Sequence, residues 1–288
     1  MTLELVSVQA SDGVRLDGAW REPEAPDRSP FPFDAVLLVH GVGGNFYGPS
    51  FFATMTDKLL DEGCAVARVN NRGHDLMYTT ARGRLGASYE TVDDCRLDLR
   101  AWVDFMASRG HERVAIWGHS LGALKTVYYL ATESDLRVVA AVATSPPRFS
   151  FEAYSRKETA ERFLAQYEQA RARVDADDPE ALLSVKVPTN LVLAARTYVD
   201  KYGPDDRYDL LKLLPKVRVP LHLAIGSEEG QSPEGADWFP FGHLASDLAA
   251  IAAVSPLIDC DVIAGANHAY SARHQELWSA VRAWADRL

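Results

Sequence analysis

The stretch Arg113-Val114-Ala115-Ile116-Trp117-Gly118-His119-Ser120-Leu121-Gly122, running on into Ala123 to Leu130, decides how this chain is read. An apolar run, a five-residue turn with glycine at both ends and a second apolar run describe a strand, a sharp reversal and a helix. Glycines two residues before and two after Ser120 suit a turn in which a Cβ would collide with neighbouring backbone. A serine at the apex is lifted out of the packing, where base and substrate both reach its hydroxyl. That hydroxyl is a poor nucleophile until the base takes its proton. The five letters alone are weak evidence; the strand before and the helix after give them weight.

Outward from this turn the chain alternates strands and helices. Ala35 to Val39 is wholly apolar, as a strand buried on both faces of a parallel sheet requires, and it ends in the glycine-rich His40-Gly41-Val42-Gly43-Gly44. Leu3 to Gln9 and Val14 to Trp20 alternate around Asp12-Gly13 as a hairpin, and the proline-rich Glu22 to Pro32 is a loop. Ala65 to Val69, Val114 to Trp117, Val138 to Ala143, Pro220 to Ile225 and Cys260 to Ile263 read as further strands. Phe51 to Glu62, Thr91 to Ser108 and His274 to Leu288 read as helices. This order builds βαβ units and a mostly parallel sheet.

The rhythm breaks between Ala143 and Pro220. Ala160, Phe163, Leu164 and Tyr167 have helical spacing, Asp178-Pro179 opens a second helix and Tyr208 to Leu214 forms a third. A helical insertion at the carboxyl ends of the strands is expected to act as a lid. The chain then divides into a core of residues 1–146 and 216–288 and a helical cap of 147–215.

Composition narrows the partners. The 288 residues are 47% apolar, ample for a large core, and carry a net charge of −10. That balance argues against nucleic acid and anionic membrane surfaces. Cys64, Cys95 and Cys260 are odd in number and lack C-x-x-C spacing, so they are expected to be small buried thiols in a reducing compartment. Met1 to Ala10 has no signal-peptide pattern and no apolar run is long enough to span a bilayer, which predicts a soluble, cytoplasmic protein.

A serine nucleophile needs a base, an orienting acid and an oxyanion hole. His268, in Gly265-Ala266-Asn267-His268-Ala269, lies just after the last short strand and is the candidate base, although His40, His74, His119 and His243 also lie in loops or at strand ends. The acid is expected in Gly226-Ser227-Glu228-Glu229-Gly230, with Glu229 the first choice, Glu228 the second, and Asp237 and Asp247 as fallbacks. The backbone N–H of Leu121 is one oxyanion donor and Val42 in the glycine-rich loop is the other. Phe46, Tyr47, Phe51, Phe52 and Tyr78 are candidates for an aromatic pocket, with His40, Gly41 and His119 beside them. With no phosphate-cradling loop, metal cluster or nucleotide fingerprint, neither cofactor nor metal is implied.

His40-Gly41, Asn71-Arg72-Gly73-His74, the Gly118–Gly122 turn, Pro220 to Glu229 and Asn267-His268 together resemble the α/β-hydrolase superfamily, nearly end to end. The likeness is to its capped, lipase/esterase-like and serine-aminopeptidase-like members. It implies an α/β fold of eight mostly parallel strands flanked by helices, a helical cap after the sixth, and Ser120, Glu229 and His268 as triad. Two positions depart from the family pattern. Asp75 replaces the second glycine of its R-G-x-G turn, and Gly226-Ser227-Glu228-Glu229 replaces its commoner G-x-x-D. The activity implied is serine hydrolysis of a carboxylic ester, lactone or thioester through an acyl-enzyme. Amidase or peptidase action, lyase or C–C-cleaving chemistry on the same fold, and a ligand-binding, receptor-like role with little turnover stay open. The expected partner is a small-molecule acyl substrate, not a nucleic acid or membrane, and a homo-oligomer is left open.

Overall fold

Five short strands with almost no polar side form the centre of one eight-stranded sheet. In the computed structural model, residues 2–25, 29–81, 83–156, 159–229, 241 and 244–288 are described. The sheet strands are β1 (Leu3–Gln9), β2 (Arg15–Arg21), β3 (Ala35–Val39) and β4 (Ala65–Val69). After the small hairpin β5 (Tyr78–Thr80) and β6 (Gly83–Leu85) come β7 (Val114–His119), β8 (Val138–Thr144), β11 (Leu221–Gly226) and β12 (Ile258–Ile263). Their order is β1-β2-β4-β3-β7-β8-β11-β12. Only β2 runs against its neighbours, so the sheet is otherwise parallel.

Alternate residues of β3 serve two cores. Ala35, Leu37 and Val39 pack with α2 (Cys95–Ser108) and α3 (Leu121–Thr132) on one face. Val36 and Leu38 pack with α1 (Phe52–Asp61) and α9 (His274–Ala285) on the other. From β3 the chain first builds β4 on one side and later β7 on the other. The carboxyl ends of β3 and β7 therefore flank the point where strand order reverses, which is where open α/β sheets form their crevice. Among the described residues, no helix is long and apolar enough to cross a membrane. Cys64 and Cys95 are buried and Cys260 partly so, all as free thiols.

The segment between β8 and β11 is less helical than its sequence predicts. It carries α4 (Phe151–Tyr154), α5 (Ala160–Asp175), α6 (Ala195–Tyr202) and α7 (Leu210–Leu213). The helix expected from Asp178-Pro179 does not form. Instead β9 (Leu182–Val185) pairs antiparallel with β10 (Leu191–Ala194), because Leu183 and Val185 alternate inward where a helix would need buried residues three and four apart. The Tyr208 to Leu214 helix shrinks to α7, begun by the Asp209 carboxylate accepting from Leu211 N–H at 3.1 Å. Helix α6 has no local signal, since Thr197, Tyr198 and Val199 are weak helix formers; burial of Thr197, Tyr198, Lys201 and Tyr202 sustains it. Helix α8 (Leu244–Ala252), likewise unforeseen, lies beside β12.

The core loop 88–93 straps this segment down. Ala194 N–H donates to Ser88 O (2.8 Å), Ser88 Oγ–H to Val192 O (2.8 Å), Val92 N–H to Asp200 (3.0 Å) and Asp93 N–H to Tyr208 Oη (3.1 Å). At its centre the buried Glu90 carboxylate meets Lys125 Nζ of α3 at 2.5 Å and Lys201 Nζ of α6 at 3.3 Å, both lysines buried too. A Cβ on Gly73 would lie 1.6 Å from Glu90 Oε1, so a side chain there would push the Glu90 carboxylate from its place between the lysines. Burial alone would raise the Glu90 pKa, but the two lysines outweigh it and hold the group at about 2.

Removing that carboxylate leaves two ammonium groups in the interior without the carboxylate that pairs with both. Glu90→Gln is expected to cost about 3–5 kcal/mol of unfolding free energy in urea titrations at pH 7. Because the folded pKa is depressed, this stabilisation is present above the unfolded value of about 4.3 and is lost as pH falls towards 2. The gap between wild type and variant should therefore close over that acid window.

Candidate active site

Crowding of backbone against backbone makes the turn after β7. A Cβ on Gly118 would lie 2.2 Å from Gly122 O, and one on Gly122 2.2 Å from Val39 O and 2.5 Å from His40 O. Helix α3 thus starts hard against the end of β3. Ser120, between them, takes φ 55° and ψ −125°, a conformation few non-glycine residues adopt. Its N–H donates to Thr144 O (2.9 Å), while its carbonyl accepts from Ala123 and Leu124 N–H. The side chain is left facing the crevice at the amino end of α3.

His268 meets it from the loop after β12. His268 Nε2 lies 3.0 Å from Ser120 Oγ, and His268 Nδ1 lies 2.8 Å from Glu229 Oε2. An ionised carboxylate only accepts, so Nδ1 carries the imidazole proton and Nε2 accepts from the serine hydroxyl. Glu229 is buried whereas Glu228 is exposed. The other Glu229 oxygen, Oε1, accepts from Gly226 N–H (2.6 Å) and Ser145 Oγ–H (2.5 Å). Asp247 lies on α8 with its carboxylate 3.8 Å from Arg148, while Gly230, Asp237 and His243 fall outside the described residues.

The loop after β3 closes the other side. A Cβ on Gly41 would stand 2.8 Å from Ser120 Cβ, so the two loops touch. His40 Nε2 accepts from Asn71 N–H (3.3 Å), which leaves Nδ1–H to donate to Gly41 O (2.8 Å). Carbonyl and N–H of one trans peptide point opposite ways, so with Gly41 O turned to His40 the Val42 N–H points away from that ring. Burial, reinforced by the Lys125 charge, pushes the His40 pKa down to about 4, and burial beside His268 pushes His119 down to about 3. Both rings are neutral at pH 7.

A cavity of about 610 Å³ opens above Ser120. His40, Gly41, Val42, His119, Ser120, Leu121 and His268 line it together with Phe51 and Phe52. Phe46 and Tyr47 line a different cavity, of about 380 Å³, against the sheet edge, and Tyr78 stacks on His74 at 4.1 Å. The far wall comes from residues that local sequence did not flag: Pro147, Phe149, Pro188, Leu191 and Tyr202 of the inserted segment, and Phe241, whose ring is 4.8 Å from His268. The buried Ser145 was also missed; Thr144-Ser145-Pro146 carries no motif, and only the packing of β8 against β11 brings it to Glu229. Asp75 fills the missing glycine of the R-G-x-G turn by taking φ 53°, and its carboxylate accepts from Asn45 (2.7 Å) and from the Tyr47 hydroxyl.

The chain belongs to the alpha/beta hydrolase family, whose model matches residues 36–281. No curated protein matches it by sequence. Among solved structures it is similar to the alpha/beta hydrolase GrgF from Penicillium sp. sh18, with TM-score 0.71, 14% identity, and 100% of this chain and 99% of that one covered. It is also similar to the esterase Pf2001 of Pyrococcus furiosus, with TM-score 0.63, 19% identity and coverage of 99% and 91%. Est1E from Butyrivibrio proteoclasticus is a third, with TM-score 0.63, 16% identity and coverage of 97% and 96%. At such identities these likenesses concern the fold.

Gly41→Ala tests the contact between the loops. The added methyl would displace Ser120 from His268, and a misplacement of this kind lowers reactivity roughly 100-fold. The rate of fluorophosphonate labelling should fall by that order while the melting temperature stays near wild type; an unchanged rate would show that the loops do not constrain each other.

Proposed function

We propose that this protein is a serine hydrolase of uncharged, largely apolar carboxylic esters, lactones or thioesters. The observation that carries the reading is the hydrogen-bonded line Ser120–His268–Glu229 at 3.0 and 2.8 Å, placed at the amino end of α3. In this reading His268 takes the Ser120 proton as the hydroxyl attacks the acyl carbon. Glu229 holds the imidazole and stabilises the imidazolium that forms. The oxyanion is received by the N–H of Leu121, one of the first-turn groups without an intrahelical partner, and by the N–H of Val42. His268 then returns the proton to the leaving group, and water repeats the cycle on the acyl-enzyme.

The substrate class follows from the cavity wall. Among the described lining residues none is Asp, Glu, Lys or Arg, and His40 and His119 are held neutral. A carboxylate, phosphate or ammonium on the substrate would lose its hydration there with no countercharge. Phe51, Phe149, Leu191, Tyr202 and Phe241 instead offer an apolar body to an acyl or leaving group. Residues 147–215 act in this reading as a cap that is part of the pocket wall, seated on the core 1–146 and 216–288.

Two comparisons test it. A fluorophosphonate should form an adduct on Ser120 and none in Ser120→Ala. With p-nitrophenyl butyrate, Glu229→Gln should lower kcat by about 10,000-fold, the order seen when a triad acid becomes an amide, while the exposed Glu228→Gln stays near wild type. Absence of the adduct from folded protein, or full activity in both glutamine variants, would sink the proposal.

A further inference from the structure

Glutamate as orienting acid has one more rotatable bond than aspartate, so its carboxylate has more ways to miss the imidazole. Here it is held through the oxygen that does not face His268. Glu229 Oε1 accepts from Gly226 N–H at 2.6 Å and from the Ser145 hydroxyl at 2.5 Å, leaving Oε2 to His268. Ser145 directly follows β8 in the left-handed region, with φ 51° and its own N–H donating to Ala224 O at 2.7 Å. Tyr270, two residues beyond His268 and also left-handed at φ 54°, donates its hydroxyl proton to the same Ala224 carbonyl at 2.9 Å. Tyr270 Oη lies 2.8 Å from Ser145 Oγ. Ser145, Tyr270 and Glu229 are all buried.

Proton counting fixes the direction of this network. Ser145 has one hydroxyl proton and two neighbours, and the carboxylate is the stronger acceptor. The one Tyr270 hydroxyl proton goes to Ala224 O, so Tyr270 Oη stands towards Ser145 as an acceptor, weaker than the carboxylate beside it. Burial, together with the nearby Glu229 charge, pushes the Tyr270 phenol far above its ordinary range, so it stays a donor. Ser145 does not line the substrate cavity.

We infer that Ser145 is a positioning residue for the Glu229 carboxylate, holding Oε1 so that Oε2 stays on His268 Nδ1. This rests on Glu229 being the orienting acid. Without the serine hydroxyl, Oε1 keeps only the Gly226 N–H and the carboxylate is free to turn. The imidazolium then loses its partner during proton transfer, while substrate binding is untouched.

The experiment measures kcat and KM for p-nitrophenyl butyrate, and the low-field His268 Nδ1–H proton signal, in full-length variants. Ser145→Ala should lower kcat by about 10- to 100-fold, the worth of one hydrogen bond to a charged group, with KM near wild type and the low-field signal shifted or lost. Ser145→Gly removes the same hydroxyl with a residue suited to φ 51°, so it should match Ser145→Ala and guards against a folding defect. In a Glu229→Gln background Ser145→Ala should have little further effect, since the two act through one group. A Ser145→Gly enzyme with wild-type kcat and an unmoved signal overturns the inference, as does an undiminished Ser145→Ala cost in the Glu229→Gln background. A slow Glu229→Gln beside a fast Ser145→Gly overturns the inference alone; a fast Glu229→Gln overturns the orienting-acid reading and this inference with it.

Discussion

One steric constraint organises the site: at the junction of β3, β7 and α3 there is no room for a Cβ. Gly118 faces Gly122, and Gly122 faces the carbonyls of Val39 and His40, each at a separation only a hydrogen can occupy. The close approach forces the chain to reverse within a few residues. It drives Ser120 into a conformation that costs energy and sets the first N–H of α3 beside its hydroxyl. The cost is met by the parallel strands on either side, which hold both ends of the turn.

A second constraint is electrostatic. Glu90 lies between two buried lysines, one on α3 and one on α6, so the inserted segment is joined to the helix that begins at Ser120. Charges in the interior tolerate little displacement, because separating them would leave each unsolvated. With the hydrogen bonds from loop 88–93, this ties the inserted segment to the core through buried contacts. Tyr202, next to Lys201, lies in the cavity lining.

How legible these features were depended on the range of the interaction behind them. The strand–turn–helix at Ser120, the glycine loop after β3 and the histidine after β12 were readable because each is a local pattern: apolar runs, glycines that sterics demand, a residue at a strand end. Asp178-Pro179 was misread because a local helix-start signal competed with the alternation of Leu183 and Val185, and pairing with β10 decided for the strand. Phe46 and Tyr47 were near the site in sequence, but the loop turns them to the opposite side. Asp75 in place of a family glycine looked like a weak match; its positive φ and its bonds to Asn45 and Tyr47 show the same turn made by another residue.

By itself the sequence determined the sheet, the helices α1, α2, α3 and α9, the elbow, and which serine and which histidine end up at the crevice, because spacing, apolar period and glycine sterics act within a few residues. It left two adjacent carboxylates as rivals, since neighbours in a loop differ only in which way they point. Tertiary structure separated them: Glu228 stays in solvent, while Glu229 turns inward to Gly226, Ser145 and His268, contributed by three strand ends far apart in the chain. The cavity wall was decided in the same way, by aromatic and proline side chains of the inserted segment that become neighbours of Ser120 only after the sheet has formed.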